Sequence, residues 1–192
     1  PPRAHGLVAA MNIDLIPVGD DPPNSVNVII EVPVGGEPVK YEFDKKSGAI
    51  FVDRILHTPM RYPANYGFIP QTLCGDGDPL DICVLCERPV THGDILLRAV
   101  PIGGLRMIDK NEADDKIIAV LLNDPAYSQY NDVSNLPKQL LDRLRHYFLT
   151  YKVIPGENNQ PVEIDAVYGR EDALEVIRRS LADYKTLVAE SK

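Results

Sequence analysis

Between residues 26 and 122 the chain holds six or seven short apolar runs cut apart by turn signals, and this crowding restricts the fold more than anything else in the sequence. "VNVIIEVPV", "VKYEFD" and "AIFVDRIL" are separated by "GGEP" and "KKSG", breaks that end strands and favour hairpins, so the first half reads as an antiparallel meander. "ICVLC", "ILLRAVPIGGLRMI" and "KIIAVLL" follow, the long middle run expected to bend at Gly103 and Gly104. So many strands in so short a span favour a closed barrel over an alternating α/β sheet.

The period then changes. From Pro137, Leu140, Leu144, Phe148 and Tyr151 recur at threefold or fourfold spacing behind the capping candidates Ser134 and Asn135, which predicts an amphipathic helix over 137–152. A second helix is predicted over 171–188, with Leu174, Ile177, Leu181 and Tyr184 on one side. The expected fold class is therefore α+β and mainly β: a closed barrel with additional hairpin strands and two flanking α-helices. At 192 residues the chain can bury one sizeable core, so a single domain over 1–192 is expected, with residues 1–10 as a disordered or non-native extension left out of the fold.

Charge and cysteine usage exclude several function classes. A formal net charge of -8 argues against a general nucleic-acid binder, because phosphate backbones are held by clustered Lys and Arg. Cys74, Cys83 and Cys86 cannot all pair within one chain, which suits a reducing cytosol. Cys83 and Cys86 form a CxxC without a second Cys or His pair, so no structural zinc site is expected. No run reaches the roughly 18 apolar residues of a membrane span, and the start lacks an apolar signal core, so a cytoplasmic protein without membrane partners is expected.

Several charged residues stand where apolar ones belong. Glu31 shares a face with Ile29 in a strand apolar on both faces; a buried carboxylate there needs a partner, a metal or a proton. Lys40, Glu42 and Asp44 share one face of "VKYEFD", which a solvated outer face explains equally well. Arg54 falls with Ile50, Val52 and Leu56, either snorkelling to solvent or lining a cavity. Tyr62 and Tyr66 flank "PAN" in a Pro- and Gly-rich loop, as hydroxyl donors or as ordinary packing.

The strongest anomaly is "CGDGDPLDICVLC". Asp76, Asp78 and Asp81 repel one another inside a tight Gly-Asp-Pro connection, and a hard divalent cation resolves that conflict where a mere turn has no need of three acids. It is not an EF-hand, since Leu80 occupies the fifth position and no Gly the sixth. A second acidic group, Asp109, Asp114 and Asp115 before Lys116, reads alone as a solvated hairpin and beside the first as further metal ligands.

In this order, these residues resemble the soluble family I inorganic pyrophosphatases of bacterial type. Their signature of Asp, small residue, Asp, Pro, aliphatic, Asp is matched by Asp76, Gly77, Asp78, Pro79, Leu80 and Asp81. The likeness runs from residue 13 to 188 and includes "IEVP", "KYEFDKKSGAIFVDR", "YPANYGFIP" and "HYFLTYK". It implies a five-stranded OB-like closed barrel and hydrolysis of pyrophosphate to two phosphates by a metal-activated water, in line and without a covalent phosphoenzyme. It further implies Mg2+, several ions per site with Mn2+ or Zn2+ as substitutes, and a cytoplasmic homo-oligomer, often a hexamer in bacteria.

Carried over residue by residue, the resemblance gives Asp76, Asp81 and Asp114 to the tightest metal, with Asp81 also reaching a second, and Asp109 with Asp114 to an ion arriving with substrate. Asp78 corresponds to the general base or water-orienting carboxylate. Lys40, Arg54, Lys116, Tyr151 and Lys152 correspond to substrate ligands, and Glu31, Glu42, Tyr62 and Tyr66 to supporting positions. Two departures stand out: Lys110, where relatives often have a second acid, and Tyr168 in "PVEIDAVYG", where they often have a basic, Trp-containing strand. No substrate ligand is expected in residues 157–169.

The chemistry needs such a set. Pyrophosphate carries up to about −4, and against it six acids and four cations leave a deficit of about −6, which two or more divalent ions must offset. A haloacid dehalogenase-like phosphatase fits less well, because its Asp-x-Asp should end an apolar strand, whereas here the apolar run follows the acids within an antiparallel pattern. An OB-type binding module with a structural cation is the non-enzymatic rival, and chelation separates the two.

Overall fold

The computed structural model describes residues 13–109, 112–157, 159 and 162–190; residues 1–10 and Lys110, on which two of the expectations bear, lie outside them. The apolar runs form β1 (Val26–Val32), β2 (Val39–Asp44), β3 (Ala49–Ile55), β4 (Asn65–Phe68), β5 (Asp81–Leu85), β6 (Ile95–Asp109), β7 (Glu112–Ala113), β8 (Lys116–Leu121) and β9 (Val162–Gly169). The 3.6-period segments form α1 (Lys138–Thr150) and α2 (Arg170–Glu190).

β1 pairs β4, β4 pairs β5, β5 pairs β8, β8 pairs β6, and β6 returns to β1, so these strands close into a ring. The 15-residue β6 serves four partners: its first part binds β1, its middle β8, and its far half β9 and β7. The register shifts between Pro101 and Gly103, at the bend expected there, and Pro101 to Leu105 are buried within the chain. The fold is mainly β with two helices, as the strand pattern predicts.

Two expectations are corrected. The first three strands do not form one meander: β2 and β3 make a separate two-stranded sheet, while β1 joins the ring. β1 is apolar on both faces and must be covered on both, whereas β3 leaves Phe51, Val52 and Ile55 exposed and cannot sit in the ring wall. Nor is the ring wholly antiparallel, since β5 and β8 run parallel. Their near-continuous apolar runs are those of strands buried on both faces.

The two faces of these strands feed separate clusters. Ile82, Val84, Ile117 and Ala119 pack with Val176 and Ile177 of α2, and Cys83, Leu85, Ile118 and Val120 with Leu144 and Phe148 of α1. Burying Leu144 or Phe148 fully stabilises by roughly 2–3 kcal/mol each, which fixes α1 against the ring. Ser134 and Asn135 do not cap α1; they belong to a short 3-10 turn, Val133–Asn135, capped by the Asp132 side chain. Pro137 intervenes before α1, with no side-chain cap, because its fixed φ favours helix entry. Among the described residues no helix is long and apolar enough to cross a membrane.

Candidate active site

A single insertion re-aims Glu31. Ile30 stands opposite Gly67 and Val32 opposite Tyr66, so Glu31 is the extra residue of a β-bulge, a device that turns a side chain out of alternation. Gly67 makes the close approach possible: a Cβ there would lie 1.8 Å from the Ile29 carbonyl oxygen. The Glu31 carboxylate accepts the Phe43 amide at 2.8 Å, tying β2 to the ring. Burial pushes its pKa up to about 8, only partly offset by that hydrogen bond.

The acidic loop between β4 and β5 is pinned at its base. The Ile69 amide donates to the Leu80 carbonyl at 3.0 Å, and the Leu80 amide to the Thr72 hydroxyl at 2.9 Å. At the tip the Asp78 amide donates to the Asp76 carboxylate at 3.0 Å, so both acids stay exposed on one turn while Asp81 enters β5. β5 and β8 set Asp81 directly beside Lys116, and β6 ends at Asp109.

These elements enclose a cavity of about 240 Å³, lined by seven acids and four lysines. The acids are Glu31, Glu42, Asp76, Asp78, Asp81, Asp109 and Asp114; the lysines are Lys40, Lys45, Lys116 and Lys152. Tyr66 and Tyr151 face the same space, with Phe43, Phe68 and Pro79. Four exposed or half-buried aspartates, Asp76, Asp81, Asp109 and Asp114, offer the hard oxygen donors that Mg2+ takes, so the donor set fits a divalent ion. Among the described residues no three such side chains converge as a ready-made metal group.

Lysines partner the acids instead. Lys116, only 4% exposed, bonds both Asp81 and Asp114; burial alone would lower its pKa, but the two carboxylates hold it well above the ordinary value. Burial lifts the Asp114 carboxyl despite Lys116. Lys152 bonds Asp109, and Lys40 bonds Glu42 and lies 3.5 Å from Asp53. Tyr66 donates to Asp81 at 2.6 Å, and its hydroxyl is held protonated by burial first and the neighbouring Asp81 next.

Twelve of the fourteen residues singled out in the sequence line this cavity. Arg54 and Tyr62 are not on its wall. Asp53 is an extra residue opposite the Lys40–Tyr41 step of β2, and this bulge leaves the Arg54 guanidinium half exposed, donating to Asp53 at 2.6 Å. Tyr62 is buried between Tyr66, 5.1 Å away ring to ring, and Tyr147, 4.8 Å away. Asp44 accepts the amides of Lys46 and Ser47 in the hairpin turn. Sequence reasoning missed Lys45, whose ammonium meets Asp78 at 3.0 Å across 33 residues; within "DKKSG" it reads only as turn polarity. A hairpin tip of two lysines was the only signal.

The family model described as inorganic pyrophosphatase matches residues 28–185. An inorganic pyrophosphatase of Xylella fastidiosa is 44% identical over 177 residues, covering 91% of this chain and 98% of that relative. The crystal structure of inorganic pyrophosphatase from Thermus thermophilus superposes with a TM-score of 0.85 at 38% identity, covering 91% of this chain and 99% of that one. A truncated vacuolar soluble pyrophosphatase of Trypanosoma cruzi, solved in complex with PPi, gives a TM-score of 0.74 at 26% identity, over 92% of this chain and 75% of that one. With more than four fifths of the length and the acidic loop inside the matched range, the chain belongs to the inorganic pyrophosphatase family.

Proposed function

We infer that this cavity hydrolyses inorganic pyrophosphate to two phosphates, with water as the nucleophile and no covalent phosphoenzyme. The observation that carries the reading is the pairing of seven carboxylates with four lysines around one small cavity, which repels a polyanion unless cations accompany it. Membership of the family supports the reaction, and the likeness to a protein solved with PPi supports the substrate.

Asp76, Asp81, Asp109 and Asp114 are read as the carboxylates that hold Mg2+, several ions per site, with Mn2+ or Zn2+ as substitutes. Such ions, when bound, neutralise phosphate charge and acidify water. The rest falls to the chain's own residues. Asp78, exposed at the loop tip, takes the proton of the attacking water or orients it. Lys40, Lys116 and Lys152 exchange carboxylate for phosphoryl oxygen, spreading positive charge over the group being transferred; Tyr151 adds a donor from the wall, and Arg54, off the wall and bound to Asp53, is read as a further donor that has to leave Asp53 to reach substrate. Glu31 and Glu42 hold β2 and Lys40 in position, and Tyr62 and Tyr66 hold Asp81.

On the same reading the chain works as a single cytoplasmic domain within a homo-oligomer, a hexamer being the expected form, with neither nucleic acid nor membrane as partner. Phosphate release from pyrophosphate, measured with Mg2+ and after EDTA beside circular dichroism, tests the reaction. Release that needs Mg2+ while the fold survives EDTA is expected. No release from folded, Mg2+-replete protein would refute it.

A further inference from the structure

The short segment that carries Asp114 and Lys116 into the cavity is held from behind by a residue the reaction does not touch. The Asp114 amide donates to the Met107 carbonyl at 2.9 Å, and Lys116 pairs with Leu105 of β6 and Asp81 of β5. Between these two backbone anchors stands Asp115, which is absent from the cavity wall. Its carboxylate accepts the Tyr168 hydroxyl at 3.3 Å.

Tyr168 reaches it across a strand. It lies on β9 opposite Gly104 of β6, and a Cβ at Gly104 would lie 2.4 Å from both Cζ and Oη of the tyrosine, so the hydroxyl end of the ring passes close over the glycine on its way to Asp115. Only 5% of Tyr168 is exposed, and the Arg106 guanidinium covers its ring at 5.6 Å from the centroid. Burial lifts the Asp115 carboxyl, opposed by Arg106, the Tyr168 hydroxyl and Arg179, so this half-buried acid has cationic neighbours on β6 and α2.

The geometry points to Tyr168 and Asp115 as positioning residues that fix the Asp114–Lys116 segment and so set the affinity of the acidic cavity for divalent cations. The inference rests on the pyrophosphatase reading for the use of those cations, but not for its test. Groups behind a ligand carboxylate typically change metal affinity by 10-fold or more, because a ligand free to swing loses its preferred orientation.

Mg2+ titration by calorimetry, without substrate, is carried out on the full chain and on Tyr168→Phe, Asp115→Ala and Asp115→Asn. Tyr168→Phe and Asp115→Ala are expected to weaken Mg2+ binding about 10-fold, while Asp115→Asn, whose amide oxygen still accepts from the tyrosine, recovers most of that loss. Melting temperatures in EDTA are expected to stay close to that of the unaltered chain. Equal Mg2+ affinity in all four proteins overturns the proposal, as does a loss matched by an equal fall in apo stability or one that Asp115→Asn fails to recover. Because no pyrophosphate is present, the outcome judges the brace whether or not the unaltered protein hydrolyses it.

Discussion

The cavity has two walls built on opposite principles. The ring wall carries Asp81, Asp109 and Lys116 on paired strands and Asp114 in the short connection before β8, with Lys116 buried and its partners no more than about a quarter exposed. The β2–β3 hairpin carries Lys40, Glu42 and Lys45 on a separate sheet whose outer face remains open, and its tip meets the acidic loop through the exposed Lys45–Asp78 pair. An ion pair in the ring wall has been desolvated and is coupled to the fold, whereas one on the hairpin tip is screened by water. The ion-paired ring residues should therefore control metal and stability together, and hairpin residues should act mainly on substrate.

Replacing Lys116 sharpens this contrast most. Lys116→Met leaves Asp81 and Asp114 without their cation and should cost about 3 kcal/mol in EDTA, read as a lower urea midpoint; Mg2+ should restore much of it. A midpoint unchanged in EDTA would place the ring pair in the same weak class as the hairpin pairs.

Glu31 joins the two walls and should make stability depend on pH. Its folded pKa of about 8 lies above the ordinary 4.5, so the folded state binds the extra proton between them. The contribution is fully present below pH 4.5 and is lost as pH rises to about 8. Glu31→Gln, unable to ionise, should gain on the unaltered chain steadily from pH 5 to 8 in EDTA; parallel stability curves would remove Glu31 as the buried joint.

Lys45→Ala should have the smallest effect. With its ammonium about half exposed, its loss should change stability by no more than about 0.5 kcal/mol and raise KM for pyrophosphate a few fold with kcat held. A large fall in kcat would break the division of labour between the walls.

Much of this was legible before any coordinates. The acids Asp76, Asp78 and Asp81 betray themselves because like charges crowd beside a Pro in six residues, and the helices because their apolar positions recur at 3.6. What stayed hidden was non-local. The Glu31 and Asp53 bulges shift register by one residue, which alternation along a single strand cannot reveal, and the second sends Arg54 to Asp53 and off the cavity wall. The parallel pairing of β5 with β8 was written in their unbroken apolar runs, but helical and antiparallel partners bury such runs equally well. Lys45 and Tyr168 gain meaning only from residues 33 and 53 positions away.

The most direct test compares phosphate release from pyrophosphate in Mg2+ by the unaltered chain and by Asp78→Asn. The substitution keeps the size of the side chain at an exposed turn and removes only its capacity to take a proton, so kcat should fall roughly 10²- to 10⁴-fold with the melting temperature unchanged. Turnover close to that of the unaltered chain, from a folded Asp78→Asn protein, would contradict the role given to the crowded acids at the centre of this cavity.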